Sequence, residues 1–353
     1  MNKIDKYVAS SVLWAFLIVM FVLLGLDTAI GFIDQIKKVS DDYTVQSILQ
    51  VLMFRLPGKF AEYVPISSLI GTLLGLGSLA STSELTVMRA AGMPIWRIGL
   101  SACQPIILVA LIGMGVSQFV APYAEQKANL VEKLQDQKQG NFALTGGVWL
   151  KADNNFVYID AADRDGKLYG VKIFSPKEQQ LKSIIVAETA VHINNDDWLL
   201  DNVHETIFHP DHVEVKKLAT EKWSVSIKPE HLYLASQDPD FLSLSELKSY
   251  QLYLESQKQD GSQYSLQFWS KALRPFACIA LVLVALSSVF GPLRSSTMGG
   301  RVFSGVMIGL AFQNGLNLFG RMSVATGFPP AIGVSIPILI CLISAILLMK
   351  RRG

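Results

Sequence analysis

Cysteine is scarce in this chain: its 353 residues include only three. Cys103, Cys278 and Cys341 are far apart, odd in number, and each lies inside an apolar run. This number and spacing imply neither a disulfide framework nor a metal site. We therefore expect all three to be small buried apolar residues.

Motifs for catalysis and nucleotide binding are also missing. The sequence has no G-x-x-x-x-G-K-S/T motif, and its glycine-rich run 71–77 contains no lysine, so the chain does not bind ATP through a P-loop. A nucleophile elbow, an H-E-x-x-H motif and a paired-carboxylate spacing are absent too. We expect no catalytic residue, no metal and no cofactor in this chain, and a process driven by ATP would need a separate ATPase.

Apolar residues make up half of the chain and are concentrated in long runs with few charges, which is typical of a membrane protein. Six runs have about the 20 residues that a helix needs to cross hydrocarbon: 10–33, 60–80, 98–121, 266–290, 302–321 and 330–349. The first run follows Lys3 and Lys6 and is too long for the core of a signal peptide, so we expect a signal anchor that is retained.

Lysine and arginine in the short loops predict the orientation. If every run crosses, the basic residues of four segments fall on one side, which is then the cytoplasm: 3–6, 89–97, 294–301 and 350–352. Both termini are then cytoplasmic. The run 45–56, which ends at Pro57-Gly58, is either an interfacial helix or an extension of the second span.

A different kind of sequence separates the third and fourth runs. Residues 140–240 contain short alternating stretches such as Phe156–Asp160 and Val171–Phe174, separated by turn residues. This pattern is typical of a β-sandwich or jelly roll, and the predicted orientation places it outside the cytoplasmic face. All five histidines fall here, with His209 close to His212, and exposed histidines explain them better than a zinc site does.

The sequence therefore predicts an α-helical polytopic membrane protein with six transmembrane helices and an inserted periplasmic β-jelly-roll domain. Residues 1–139 would contain transmembrane helices one to three, residues 140–240 the β-jelly-roll domain, and residues 241–353 helices four to six.

A short polar stretch, Ser81–Arg97, lies between the second and third runs. Ser81 and Glu84 have the spacing of a capping box, and Gly92 would end the helix after about two turns. We expect that the apolar face of this helix cannot bury itself within the chain and binds a cytoplasmic partner. The alternative is an ordinary capped hairpin between two spans, which the spacing alone does not exclude. The apolar face comprises Leu85, Val87 and Met88.

Polar residues lie inside two predicted spans. Asp27 is near the outer end of the first, and Gln313, Asn314 and Asn317 are in the middle of the fifth. Polar groups in hydrocarbon line a gate or cavity, or hydrogen-bond a neighbouring helix, and both interpretations stay open.

Basic residues near the outer membrane edge run against the positive-inside rule. Lysine is a natural partner for phosphate, so we favour a specific anionic ligand over snorkelling to lipid headgroups. The residues concerned are Lys37, Lys38, Lys59, Lys127 and Lys133.

Short motifs along the whole chain together resemble the LptF/LptG family of lipopolysaccharide export permeases, and Phe290–Ser295 favours the LptG branch. The motifs in the first half are Ile4–Tyr7, Gly31–Lys38, Gly75–Gly77, Ser83–Met88, Ala91-Gly92, Val120–Pro122 and Glu125-Gln126. Those in the second half are Asn154–Ile159, Trp269–Lys271, Phe290–Arg294, Met298-Gly299 and Arg301.

The resemblance implies a permease that pairs with LptF, sits on a dimer of the ATPase LptB and lifts lipopolysaccharide from the outer leaflet of the bacterial inner membrane. It would pass the lipid to LptC and a periplasmic bridge of similar jelly rolls, while LptB binds ATP and Mg²⁺. No nucleic-acid partner is implied.

The resemblance also implies residue roles. The helix between spans two and three would dock in a groove of LptB, and spans one and five would line a gate with LptF. Lys37 and Lys38 match the family's lysines after span one. Some members carry arginines where this chain has Asn129 and Glu132, which leaves the role of Lys127 and Lys133 open. The matching coupling residues are Ser83, Glu84, Leu85, Val87, Met88, Arg89 and Gly92.

A second interpretation from a different class is a membrane scaffold whose β-domain recruits periplasmic partners without transport. The polar residues inside the spans and the short cytoplasmic helix favour the transporter. Copurification with an ATPase and a bound lipid separates the two interpretations.

Overall fold

A computed structural model describes residues 3–37, 44–138, 147–152, 155–163, 166–177, 180–194, 197–209, 211–224, 229–290 and 297–350. Its helices are α1 Lys3–Ile36, α2 Val45–Ser81, α3 Glu84–Ala90, α4 Ile95–Gly115, α5 Ala121–Lys138, α6 Pro229–Ser236, α7 Leu244–Ser256, α8 Ser262–Ala272, α9 Arg274–Val289, α10 Met298–Thr326 and α11 Pro330–Lys350. A π-helical turn, Val116–Val120, joins α4 to α5. The strands are β1 Val148–Ala152, β2 Asn155–Ala162, β3 Lys167–Lys177, β4 Gln180–Asn194, β5 Asp197–Phe208 and β6 Val213–Ser224.

The chain forms two compact units. The helical unit comprises Met1–Lys37, Leu52–Ala124 and Ser243–Gly353, and the β unit comprises Lys38–Val51 and Glu125–Leu242. The predicted fold class, a polytopic helical membrane protein with an inserted β-domain, is confirmed.

Five helices of the described ranges are long and apolar enough to cross a membrane, and α8 with α9 makes a sixth if the pair is one span bent by 51°. The sequence predicted an unbroken run there. The break falls at Leu273 because Pro275, at the start of α9, has no backbone N–H to continue the preceding turn. The run 45–56 proves to be an extension of the second span, since α2 continues through Pro57 and Pro65.

Glycines allow α1 and α2 to pack closely in the helical unit. A Cβ atom on Gly71 would lie 2.6 Å from the Cα of Phe16, and one on Gly75 would lie 2.8 Å from the Cα of Val12. Only a residue without a side chain permits backbones this close. Cys103 and Cys278 are buried in the same unit and Cys341 is half-buried, as expected of small apolar residues.

The β unit contains one six-stranded antiparallel sheet with the order β1-β2-β3-β4-β5-β6. The expected jelly roll would need Greek-key connections between two sheets, whereas this order is a simple meander. The reason is connection length, because each strand is followed within two to four residues by the next and such short connections join antiparallel neighbours. Helix α6 packs against β2.

Candidate functional site

The short helix α3 begins at Glu84, and two residues, Thr82 and Ser83, separate it from the end of α2 at Ser81. The predicted capping box of Ser81 and Glu84 is wrong. Because α2 runs through Ser81, the N-cap position moves to Ser83, which adopts a left-handed conformation with φ of 63°. Ser81 Oγ instead donates to the carbonyl of Ser78 at 2.7 Å, and Thr82 Oγ1 donates to Glu84 Oε1 at 2.8 Å.

The apolar face of α3 is divided between the chain and its surroundings. Leu85 is only 2% exposed and belongs to the core of the helical unit, and Met88 packs against that core. Val87 is 67% exposed. The expectation that this face cannot bury itself within the chain is therefore wrong for Leu85 and Met88, because both pack against the apolar core of the helical unit. The length of about two turns is confirmed, and Gly92 follows the helix with φ of 88°.

Polar side chains of α3 connect it to two other elements of the helical unit. Tyr7 of α1 lies near the carboxylate of Glu84 and interacts with it electrostatically. The guanidinium of Arg89 lies 5.8 Å from the ring centre of Phe290, the residue directly after α9, which is a cation–π distance. Helix α3 therefore interacts with α1 and with the residue that follows α9.

An ion pair that sequence reasoning missed fixes α1 to α4 close by. Arg97 donates through Nε and Nη2 to the two carboxylate oxygens of Asp5, both at 3.2 Å, and Ser101 Oγ donates to Asp5 Oδ1 at 3.2 Å. Bidentate pairs of this type are geometrically specific. An acidic residue inside the basic N-terminal segment was the signal that could have pointed to it.

The lysines predicted to bind an anion lie in different settings. Lys37 is 73% exposed and its Nζ lies 3.5 Å from Asp34 one helical turn away. Lys38 lies outside the described residues. Lys59 Nζ is 3.2 Å from Glu62 Oε2 and 3.9 Å from Asp27 Oδ1.

Two further lysines belong to α5. Lys127 is exposed on this helix. Lys133 lies in the same helix, but its side chain is outside the described part of the chain.

Asp27 is partly buried and has partners within the chain. Tyr63 Oη donates to Asp27 Oδ1 at 2.6 Å, and Lys59 approaches the same oxygen. Asp27, Tyr63 and Lys59 therefore form one polar cluster between α1 and α2, so the alternative of hydrogen bonding between helices describes Asp27 in this structure.

The polar residues of α10 are in the opposite situation. Gln313, Asn314 and Asn317 are all exposed, and their spacing of three and four residues places them on one face of the helix. Asn314 Nδ2 donates to the carbonyl of Leu310 in its own helix at 2.8 Å. The polar face of α10, defined by these three residues, thus points away from the rest of its own chain.

Two of the five histidines in the β unit stack on each other. The His209 and His212 rings stack with centroids 4.5 Å apart, and His209 Nε2 lies 3.4 Å from Glu214 Oε2. Within the described ranges, no group of three or more His, Cys, Asp and Glu side chains could hold a metal ion.

Comparison with known proteins finds similarity along nearly the whole chain. The profile of the family described as lipopolysaccharide export system permease LptF/LptG matches residues 6–351. LptG of Escherichia coli (strain K12) is 34% identical over 354 aligned positions that cover 99% of this chain and 98% of that protein. LptG of Haemophilus influenzae is 29% identical over 356 positions, covering 99% of both chains. LptF of Escherichia coli is 24% identical over 194 positions, 53% of this chain and 52% of its own length.

Proposed function

This chain belongs to the LptF/LptG family of lipopolysaccharide export permeases, and from that premise we propose that it is the permease subunit of an ATP-driven transporter. It extracts lipopolysaccharide from the outer leaflet of the bacterial inner membrane and passes it to a periplasmic bridge. Its partners are LptF in a heterodimer, a dimer of the ATPase LptB, and LptC. ATP and Mg²⁺ are bound by LptB.

The proposal includes an orientation. Both termini and α3 are cytoplasmic, and the β unit is periplasmic, because the short loops rich in lysine and arginine then face the cytoplasm. In domain terms, residues 1–139 and 241–353 form the membrane part, and residues 140–240 the periplasmic domain.

The observation that carries the proposal is the polar face of α10. Gln313, Asn314 and Asn317 lie in the middle of an apolar helix and are exposed from their own chain. Leaving such groups in hydrocarbon is costly, so they face a protein partner or a water-filled cavity. A second permease subunit that closes a gate against α10 supplies both.

Two other surfaces take the roles that the family implies. The coupling surface for LptB is α3 with its flanks, where Val87 is exposed while Leu85 and Met88 hold the helix to the spans. Lipopolysaccharide phosphates bind the exposed Lys37, together with Lys38, Lys59, Lys127 and Lys133. Lys59 exchanges its contact with Glu62 or Asp27 for the lipid, because partly exposed ion pairs of this type contribute only about 0–1 kcal/mol.

The test uses the complex of this chain with LptF and LptB, reconstituted in vesicles that contain lipopolysaccharide. The wild-type complex should transfer the lipid to the soluble domain of LptC only when ATP is hydrolysed. Gln313→Leu combined with Asn317→Leu should assemble normally but lower the transfer rate by about tenfold, equivalent to 1.4 kcal/mol. A membrane scaffold would instead yield no ATP-dependent transfer by the wild type.

Ser344→Leu is the matched control. Ser344 is also an exposed polar residue of a span, in α11, and it donates to the carbonyl of Cys341 in its own helix. Its replacement should leave transfer unchanged. An equal loss with Ser344→Leu would mean that the polar face of α10 has no special role.

A further inference from the structure

Helix α10 packs on α2 along one regular stripe. Arg301, Gly305 and Gly309 follow one another at four-residue intervals, and all three are buried. A Cβ atom on Gly305 would lie 2.8 Å from Leu73 Cδ1, and one on Gly309 would lie 2.9 Å from Ile66 Cγ1. The two helices are therefore in close contact wherever the stripe carries glycine.

Arg301 is the exception in this stripe of small residues. It is only 2% exposed, and its Nη1 donates to the carbonyl oxygen of Gly77 in α2. A Cβ atom on Gly77 would lie 2.8 Å from both Cδ and Nη1 of Arg301. The guanidinium therefore needs a glycine at this position of α2. We call this contact the Arg301–Gly77 clasp.

Joining two helices through a buried guanidinium requires the free energy of removing its charge from water. A third glycine, or an alanine, would continue the stripe without the cost of removing a charge from water. Ionisable residues at such positions in membrane proteins mark functional elements. The chain thus uses a directed polar contact at one end of a seam that is otherwise held by packing.

The position of the clasp links two surfaces that the proposed function uses. Gly77 lies one turn before the end of α2, and the coupling helix α3 begins at Glu84. Arg301 lies in the first turn of α10, whose start is capped by Thr297 Oγ1 accepting from Gly300 N at 3.3 Å. The same helix continues without a break to Thr326. At about 1.5 Å per residue, Asn317 of the polar face lies about 24 Å further along it.

We propose that Arg301 is a positioning residue that transmits movement of the coupling helix α3 to the polar face of α10 through the clasp. The inference rests on the proposed function, since it assumes that an ATPase binds α3 and that the polar face of α10 lines a gate. A displaced α2 terminus moves the Gly77 carbonyl, and the guanidinium bound to it moves the base of α10. The helix then carries that displacement to Gln313 and Asn317 as a rigid rod.

The experiment measures lipopolysaccharide transferred per ATP hydrolysed by the reconstituted complex with LptF and LptB. Arg301→Met and Gly77→Ala should each lower this ratio by about fivefold or more while the ATPase rate changes by no more than about twofold. Arg301→Lys should keep part of the ratio, because an ammonium can still donate to the Gly77 carbonyl. Gly299→Ala is the matched control, since a Cβ at Gly299 of the same helix meets nothing within 4 Å.

Each outcome decides between a coupling role and a structural one. A wild-type ratio in both Arg301→Met and Gly77→Ala overturns the inference, and so does a failure of all three variants to assemble, because the clasp would then serve folding alone. If only Arg301→Met fails to assemble, the ratios of Arg301→Lys and Gly77→Ala decide. Absence of ATP-dependent transfer by the wild type would instead refute the proposed function, and the inference with it.

Discussion

Two helices of the helical unit, α9 and α10, differ in how much of their surface is covered by their own chain. Most residues of α9 are buried, including the small residues Ala277, Ala280 and Ala285 that let other helices approach. In α10 only six of 29 residues are buried, three of them in the stripe that faces α2, and many polar and large apolar side chains of this helix are exposed. Helix α9 completes a core, whereas α10 leaves much of its surface uncovered by its own chain.

The same division recurs within the seven residues of α3. Leu85 fills the core of the helical unit while Val87, two residues later, is exposed. A helix this short has little stability of its own, so the buried side fixes its position and the exposed side remains available for binding. The chain therefore contains closed positions, which determine its stability, and open positions, which we assign to its partners.

The largest effect should come from a leucine in a closed position. Leu281 in α9 is 1% exposed and Leu318 in α10 is 59% exposed. Leu281→Ala leaves a cavity and should lower the free energy of unfolding by about 2–5 kcal/mol, whereas Leu318→Ala should change it by no more than about 0.5 kcal/mol. Unfolding of the isolated chain in bicelles measures both. An equal loss of unfolding free energy in the two variants would mean that α10 is packed as tightly at Leu318 as α9 is at Leu281.

The next effect concerns binding of the ATPase. Val87→Asp places a charge on the exposed side of α3 and should lower the amount of LptB that copurifies by about tenfold, because an apolar anchor at an interface centre is worth more than about 1 kcal/mol. The stability of the isolated chain should not change. Leu85→Ala is the converse variant, and its main effect should be a lower free energy of unfolding of the isolated chain. Normal LptB recovery with Val87→Asp would contradict a docking role for this side of α3.

Glu84→Gln adds a control for charge within the same helix. The glutamine oxygen can still accept the hydrogen bond of Thr82, which spans 2.8 Å in the wild type, but it cannot form an ion pair with a basic residue of LptB. Full coupling in Glu84→Gln, together with a loss in Glu84→Ala, would assign Glu84 to local structure alone.

Sequence reasoning succeeded where a feature follows from a local pattern, and it failed where the feature depends on the structure around that pattern. The spans and the β-domain follow from run length and alternation. The capping box did not follow: Ser81 and Glu84 have the same spacing as Ser243 and Glu246, but only the second pair forms the box. Ser243 follows a turn, whereas Ser81 is already inside a helix.

Contacts between distant residues were beyond the reach of local patterns. Arg97 and Asp5 are 92 residues apart, and Arg301 and Gly77 are 224 apart. Each residue has an ordinary interpretation in its own segment, as a basic loop residue or a glycine in a span. Only the packing of the helices brings the partners together and gives them a common role.

The smallest effect should come from the highly exposed Lys37 together with Lys38, the next residue in the sequence. Lys37 is 73% exposed and its contact with Asp34 joins two exposed side chains, so that pair contributes only about 0–1 kcal/mol. Lys37→Ala alone should therefore change lipopolysaccharide crosslinking by no more than about twofold, whereas Lys37→Glu with Lys38→Glu should lower it by about fivefold, because two charges that attract phosphate become two that repel it. Arginine at both positions should be tolerated, since the charge remains. Crosslinking and transfer are measured in the complex with LptF and LptB, and assembly and ATPase rate should stay normal. If the double glutamate variant carries lipopolysaccharide at the wild-type rate, these lysines are ordinary snorkelling residues, and the open end of α1 has no part in binding the lipid.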